Sequence, residues 1–212
     1  MCGRFVITNP VSKTKGIVKK AINVENNENY NAHPSQNLPV IKKYTNGNTL
    51  ELLNWGIIPS WSKKIDFKPL INARLETIDE KISFKKHIKI NRCIAVADGF
   101  YEWKRIGNDK TPYYFLRNDK KMMFIAGIFA ENQFCLITEQ ASGKVNEIHH
   151  RQPVILNEKD INSYLNLQIN GSNFLKEVRK PNLEFYEISK DVNKPTNNFA
   201  SLIQKINSIG VN

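Results

Sequence analysis

The sequence predicts an α+β fold with a mainly antiparallel, curved or barrel-like β core flanked by helices. Two observations predict it. Short apolar runs recur at close spacing through the middle of the chain with turn-forming pairs between them, and segments with helical spacing lie toward the two ends. The chain has 212 residues, enough for one well-buried core, and no composition break divides them. A single domain over residues 1–212 is therefore expected.

Taken in order, Lys13 to Val24 carries Ile17, Val18, Ala21 and Ile22 at helical spacing and predicts an amphipathic helix with a Lys-rich outer face. The Asn-rich stretch from Asn26 to Asn31 ends it. Leu38 to Tyr44 and Thr49 to Leu53 are short β-like runs separated by the turn signal Asn46-Gly47-Asn48, which predicts a hairpin. Further strands are expected at Cys93 to Ala97, Tyr113 to Leu116, Met123 to Phe129 and Phe134 to Thr138, with turns at Gly107-Asn108 and Asn118-Asp119. Glu158 to Leu167 and Gly171 to Lys180 have helical spacing, Phe185 to Ser189 is strand-like, and Lys194 to Asn198 around Pro195 is expected to be loop.

The formal net charge of +11 makes a polyanion a candidate partner, since phosphate contacts release counterions and supply affinity without reading sequence. The Lys excess is spread along the chain, so a solubility effect accounts for part of it. Cys2, Cys93 and Cys135 are the only cysteines and none forms a C-x-x-C pair, so neither a disulfide framework nor a structural metal is expected. With no apolar leader after Met1 and no apolar run of spanning length, a cytoplasmic protein is expected.

Five segments carry candidate chemistry. Cys2 is small enough for Met1 to be removed, which would set a free α-amine, ordinary pKa about 7.7 to 8.0, beside a thiol of about 8.5. An amine and an aldehyde form a Schiff base, and a thiolate can close on its carbon to give a thiazolidine ring. Trp55 to Trp61 sets two aromatics around a Gly and Pro bend, either a stacking surface for unpaired bases or a pair of core tryptophans. Asn72-Ala73-Arg74-Leu75-Glu76-Thr77 mixes an amide, a guanidinium and a carboxylate, a cluster that could equally cap a helix. Glu102 sits between Tyr101 and Trp103, where an apolar setting would raise its pKa for acid–base work; a structural ion pair is the alternative. His149 and His150 precede Arg151 and offer an imidazole for proton transfer. Neighbouring residues point apart and no third ligand is evident, so metal binding is the poorer reading.

These segments, with Met1 to Phe5, Tyr30-Asn31-Ala32-His33-Pro34, Ala97 to Lys104 and Ile148 to Leu156, together resemble the SOS response-associated peptidase (SRAP) family in order and spacing over essentially the whole chain. The resemblance implies the SRAP fold and covalent capture of abasic sites in single-stranded DNA by Cys2 once Met1 is gone, shielding the lesion, with an associated autopeptidase activity. Asn72, Glu102 and His149 then match the family's catalytic positions: Asn72 orients the crosslink, Glu102 shuttles protons and His149 serves sugar oxygens and the imine nitrogen. The same carry-over sets Arg4, Arg74 and Arg151 on phosphates, Trp61 as a stacking or wedge surface and Thr138 near the DNA backbone. No cofactor or metal is implied. The implied partner is single-stranded DNA containing abasic sites, with replication-fork components as further candidates, for a monomer that is nucleoid-associated when bound to DNA. His33, Ser62 and His150 depart from the family's usual residues. Two other classes stay open from the residues alone: an N-terminal thiol hydrolase acting on amide substrates, and a non-catalytic single-strand binder.

Overall fold

The computed structural model describes residues 2–62 and 67–206. Strand β1 (Phe5–Thr8) leads into α1 (Pro10–Lys13), where Pro10 takes the first helical turn, a position that needs no backbone N–H donor. A turn over residues 14–17 then precedes β2 (Lys20–Ile22) and β3 (Glu28–Ala32). The helix expected over Lys13 to Val24 does not form. Gly16 weakens it, and Lys20–Ile22 instead pair in parallel with Thr49–Glu51. Its apolar residues Ile17, Val18, Ala21 and Val24 still pack on the core, so the helical spacing reflected burial and not helix.

The expected hairpin is β4 (Asn37–Tyr44) and β5 (Gly47–Trp55), joined by Thr45 and Asn46. Gly47 ends the turn at φ +118°, a conformation that L side chains rarely adopt. After β6 (Asn72–Arg74) and α2 (His87–Ile90) come β7 (Arg92–Ala97), β8 (Gly99–Ile106), β9 (Asp109–Arg117), β10 (Met123–Ala130) and β11 (Gln133–Gln140). Then follow β12 (Arg151–Pro153), β13 (Ile155–Leu156), α3 (Ile161–Leu165), α4 (Gly171–Glu177) and β14 (Leu183–Glu187). Both late helices are shorter than their spacing suggested. The first breaks into a 3-10 turn at Glu158–Asp160 followed by α3, and α4 stops at Glu177 where Val178 turns extended.

Strands β5, β4, β7, β10 and β11 are hydrogen-bonded in succession, and β11 returns to β5 in parallel at Gln133–Asn54 and Phe134–Trp55. The ring so closed agrees with the curved, barrel-like core expected. A second sheet, ordered β14-β9-β8-β1-β3, lies beside it. Cys2, Phe5, Trp55, Phe100, Phe134 and Leu136 belong to one buried cluster, drawn from both sheets. The helices cover a second cluster, and Arg92 is buried with no ion pair among the described residues. Its guanidinium donates to the carbonyls of Ile88, Tyr164, Asn166 and Ile169 at 2.6 to 3.1 Å, tying α2 to the segment around α3. Among the described residues no helix is long and apolar enough to cross a membrane.

Candidate active site

The site forms where the two sheets meet, and β11 explains why. Along one edge it pairs with β5 and then β6; along the other with β10 and then β12, so Thr138 lies between Arg74 and Pro153. Asn72 is thereby held opposite Leu136, while Arg151, two residues past His149, is held opposite Gln140. Strand β1 approaches from the second sheet and brings Cys2 with it. Strand β8 lies against β1, with Tyr101 donating its backbone N–H to the Arg4 carbonyl at 2.9 Å, which fixes Glu102 beside the start of the chain.

Cys2 is fully buried. The Asn72 amide donates from Nδ2 to the Cys2 carbonyl at 2.9 Å, tying the two sheets together at this residue. Asn72 Oδ1 is buried with no hydrogen-bond partner among the described residues, which leaves it able to accept from a donor brought to the site. Burial pushes the Cys2 thiol up, and the nearby Glu102 charge pushes the same way. Glu102 itself is 3% exposed, and burial raises its carboxyl above the ordinary range although the charge at the amino terminus opposes that. A carboxyl so raised can both hold and release a proton.

Burial lowers His149 to about 4, helped by the same amino-terminal charge. The ring is therefore neutral. The Arg151 backbone N–H donates to His149 Nδ1 at 2.9 Å, nearer than the Arg151 carbonyl at 3.1 Å, so we assign the ring proton to Nε2. His149 and His150 do not point apart as neighbouring residues in a strand would. They lie in the loop before β12, and their rings stack with centroids 4.4 Å apart. Among the described residues no three His, Cys, Asp or Glu side chains group as metal ligands. Met1 lies outside the described residues.

The positions expected to contact DNA fall into three settings. Arg74 is exposed, and Trp61 is 54% exposed with its ring edge-on to Phe67. Trp55, by contrast, is a core residue, stacked with Phe134 and tilted on Phe5, whose indole N–H donates to the Ile71 carbonyl at 3.0 Å and so braces the strand bearing Asn72. Arg4 is half-buried and donates to Asn31 Oδ1 at 2.6 Å and to the Val192 carbonyl at 3.0 Å. Thr138 is fully buried, and Arg151 is 8% exposed in a two-bond fork with Glu76. Glu76 thus binds Arg151 and does not cap a helix. Asn31, Trp55 and Glu76 all lay within the motifs quoted above, but only their side-chain partners, distant in sequence, identify their work.

The family described as SOS response associated peptidase (SRAP) matches residues 1–195. The chain is 34% identical to the abasic site processing protein YoqW of Bacillus subtilis, covering 96% of this chain and 99% of that one. It is 27% identical to the abasic site processing protein YedK of Escherichia coli, covering 97% and 100% of the two chains. A crystal structure of a protein from Bacteroides thetaiotaomicron superposes with a TM-score of 0.80 at 21% identity, over 97% of this chain and 100% of the other, a likeness of fold.

Proposed function

The chain belongs to the SOS response associated peptidase family, and we propose that it captures abasic sites in single-stranded DNA by a covalent bond to Cys2 after loss of Met1. Hydrolysis of the Met1–Cys2 peptide bond frees the α-amine, a step for which Glu102 is the candidate acid–base group. The amine adds to the aldehyde of the ring-opened sugar, and loss of water leaves a Schiff base. The Cys2 sulfur then bonds to the imine carbon while the thiol proton passes to nitrogen, closing a thiazolidine. The observation that carries this reading is the convergence on the chain's start of an amide on the Cys2 carbonyl, a buried carboxyl and a neutral imidazole.

Each group has a task suited to its state. Glu102, with its raised pKa, supplies and recovers protons in the amine addition and dehydration steps. His149 donates from Nε2 to the sugar oxygen that leaves or to the imine nitrogen. Asn72 holds the Cys2 backbone, and its Oδ1 accepts from the amine. The raised thiol pKa favours amine attack first, with the thiol following once Glu102 or His149 can take its proton. Arg74 and Trp61 are disposed to meet the strand, the first on phosphate and the second under a base. Arg4 is two residues along the chain from Cys2, and Arg151 and Thr138 are buried and joined by the Arg151 Nη2 bond to the Thr138 carbonyl.

Incubating the chain lacking Met1 with single-stranded DNA that carries one abasic site should give an adduct that survives denaturation. Cys2→Ala should give none; an unchanged adduct yield from that variant would refute the mechanism. Intact-mass analysis of the purified chain checks the premise, since a retained Met1 blocks ring formation.

A further inference from the structure

Arg151 is a buried cation, and a buried cation needs a partner that matches its geometry. Glu76 supplies one. Arg151 Nη1 donates to Glu76 Oε1 at 2.7 Å and Nη2 to Oε2 at 2.9 Å, the two-bond planar fork that suits a guanidinium and a carboxylate. Nη2 also donates to the Thr138 carbonyl at 2.8 Å. Glu76 Oε1 accepts in addition the backbone N–H of Gln140 at 2.9 Å. One carboxylate on the turn after β6 therefore fastens the end of β11 and the start of β12 at once.

We propose that Glu76 is a positioning residue for His149, acting through Arg151. This deepens the crosslinking function proposed above and rests on it. The link is the Arg151 main chain. Its side chain is clamped by Glu76 and Thr138 and its main chain pairs opposite Gln140 at the end of β11, with its backbone N–H 2.9 Å from His149 Nδ1. That bond keeps Nδ1 an acceptor and directs the single ring proton to Nε2, where it can serve the substrate. His149 lies in a loop between a 3-10 turn and β12, where the Ile148 and His149 N–H groups reach the Val145 carbonyl at 3.0 and 2.9 Å and Ala141 N–H the His150 carbonyl at 2.9 Å. Without the clamp the ring keeps its place in the chain but loses its fixed orientation and tautomer.

The test uses the full chain lacking Met1 and three substitutions, Glu76→Gln, Glu76→Asp and Arg151→Lys. Two quantities are read: the rate of adduct formation with abasic single-stranded DNA, and the ¹⁵N shifts of the His149 imidazole, which report the tautomer directly. Glu76→Gln should lower the rate about tenfold or more, the scale of a misplaced catalytic group, and replace the single Nε2–H signature with a mixture. Glu76→Asp, which keeps the carboxylate, should restore part of both. If Glu76→Gln does not fold, Arg151→Lys, which keeps the charge but not the fork, should show the same tautomer mixture. A folded variant, Glu76→Gln or Arg151→Lys, with the wild-type tautomer signature and rate overturns the proposal, as does an unrescued Glu76→Asp. Should the unsubstituted chain form no adduct, the crosslinking function fails, while the ¹⁵N measurement still decides whether Glu76 orients His149.

Discussion

Asn72→Ala tests the site at its least redundant contact. The substitution removes the 2.9 Å bond from Asn72 Nδ2 to the Cys2 carbonyl, and Cys2 is fully buried, so no water is at hand to replace the donor. A net hydrogen bond contributes about 1 kcal/mol, and a buried carbonyl left unpaired costs about 1 to 3 kcal/mol. If that bond holds the Cys2 amine in its attacking position, the same range applies to the barrier and predicts a loss of about 5- to 150-fold in crosslinking rate. The rate is followed on denaturing gels with abasic single-stranded DNA in excess, beside a thermal melt. Asn72→Asp sharpens the test. An ionised carboxylate cannot donate to the Cys2 carbonyl, but a protonated one can, so the rate of Asn72→Asp relative to the unsubstituted chain should rise as pH falls into the carboxyl range. A folded Asn72→Ala chain that crosslinks at the unsubstituted rate, or a rate ratio for Asn72→Asp that does not change with pH, would refute the reasoning.

Three further outcomes follow from the geometry. His149 is depressed to about 4 in the folded chain against an ordinary value near 6.5, so between these values the unfolded chain binds the extra proton; the stability it contributes is complete above about 6.5 and lost as pH falls toward 4. Discounted for the ring's partial exposure, this is about 1 to 2 kcal/mol, and in melts compared at pH 7 and pH 4.5 the His149→Phe chain should lose less than the unsubstituted one. Trp55→Phe removes the indole N–H bond to Ile71 and part of a fully buried ring, and should lower the melting temperature by several degrees with a slower crosslinking rate; an unchanged melt contradicts the brace. Arg74→Ala should weaken binding to single strands of any sequence and lower the slope of log affinity against log salt by about 0.7, which titrations at several salt concentrations would show.

The strands of the closed ring were legible from short, largely apolar runs, most plainly β7, which lies between Asn91 and Asp98. Among the segments missed or misread are ones whose apolar residues are sparse or whose state depends on a partner. Lys20–Ile22 is a strand because the β5 edge lies beside it, and the β6 residues Asn72–Arg74 have no strand pattern of their own. The site was legible in a different way. Cys2, Asn72, Glu102 and His149 stood out as chemical types in recognisable surroundings, and the structure brings an amide, a carboxyl and an imidazole to the chain's start. The expected set on DNA separated on folding, since burial divides Arg74 and Trp61 at the surface from Thr138 and Arg151 beneath it.

What the sequence determined by itself was residue type and family: a cysteine at position 2, the order of the motifs, and an excess of positive charge, all properties of composition and spacing. What only the tertiary structure decided was which groups act on one another. Trp55 and Trp61 lie six residues apart and read alike, yet one is fully buried and the other 54% exposed. Glu76 and Arg151 are separated by 75 residues and meet because β11 carries β6 on one edge and β12 on the other. Pairing of strands distant in sequence sets burial, and burial sets the protonation states of Glu102 and His149 on which the proposed reaction depends.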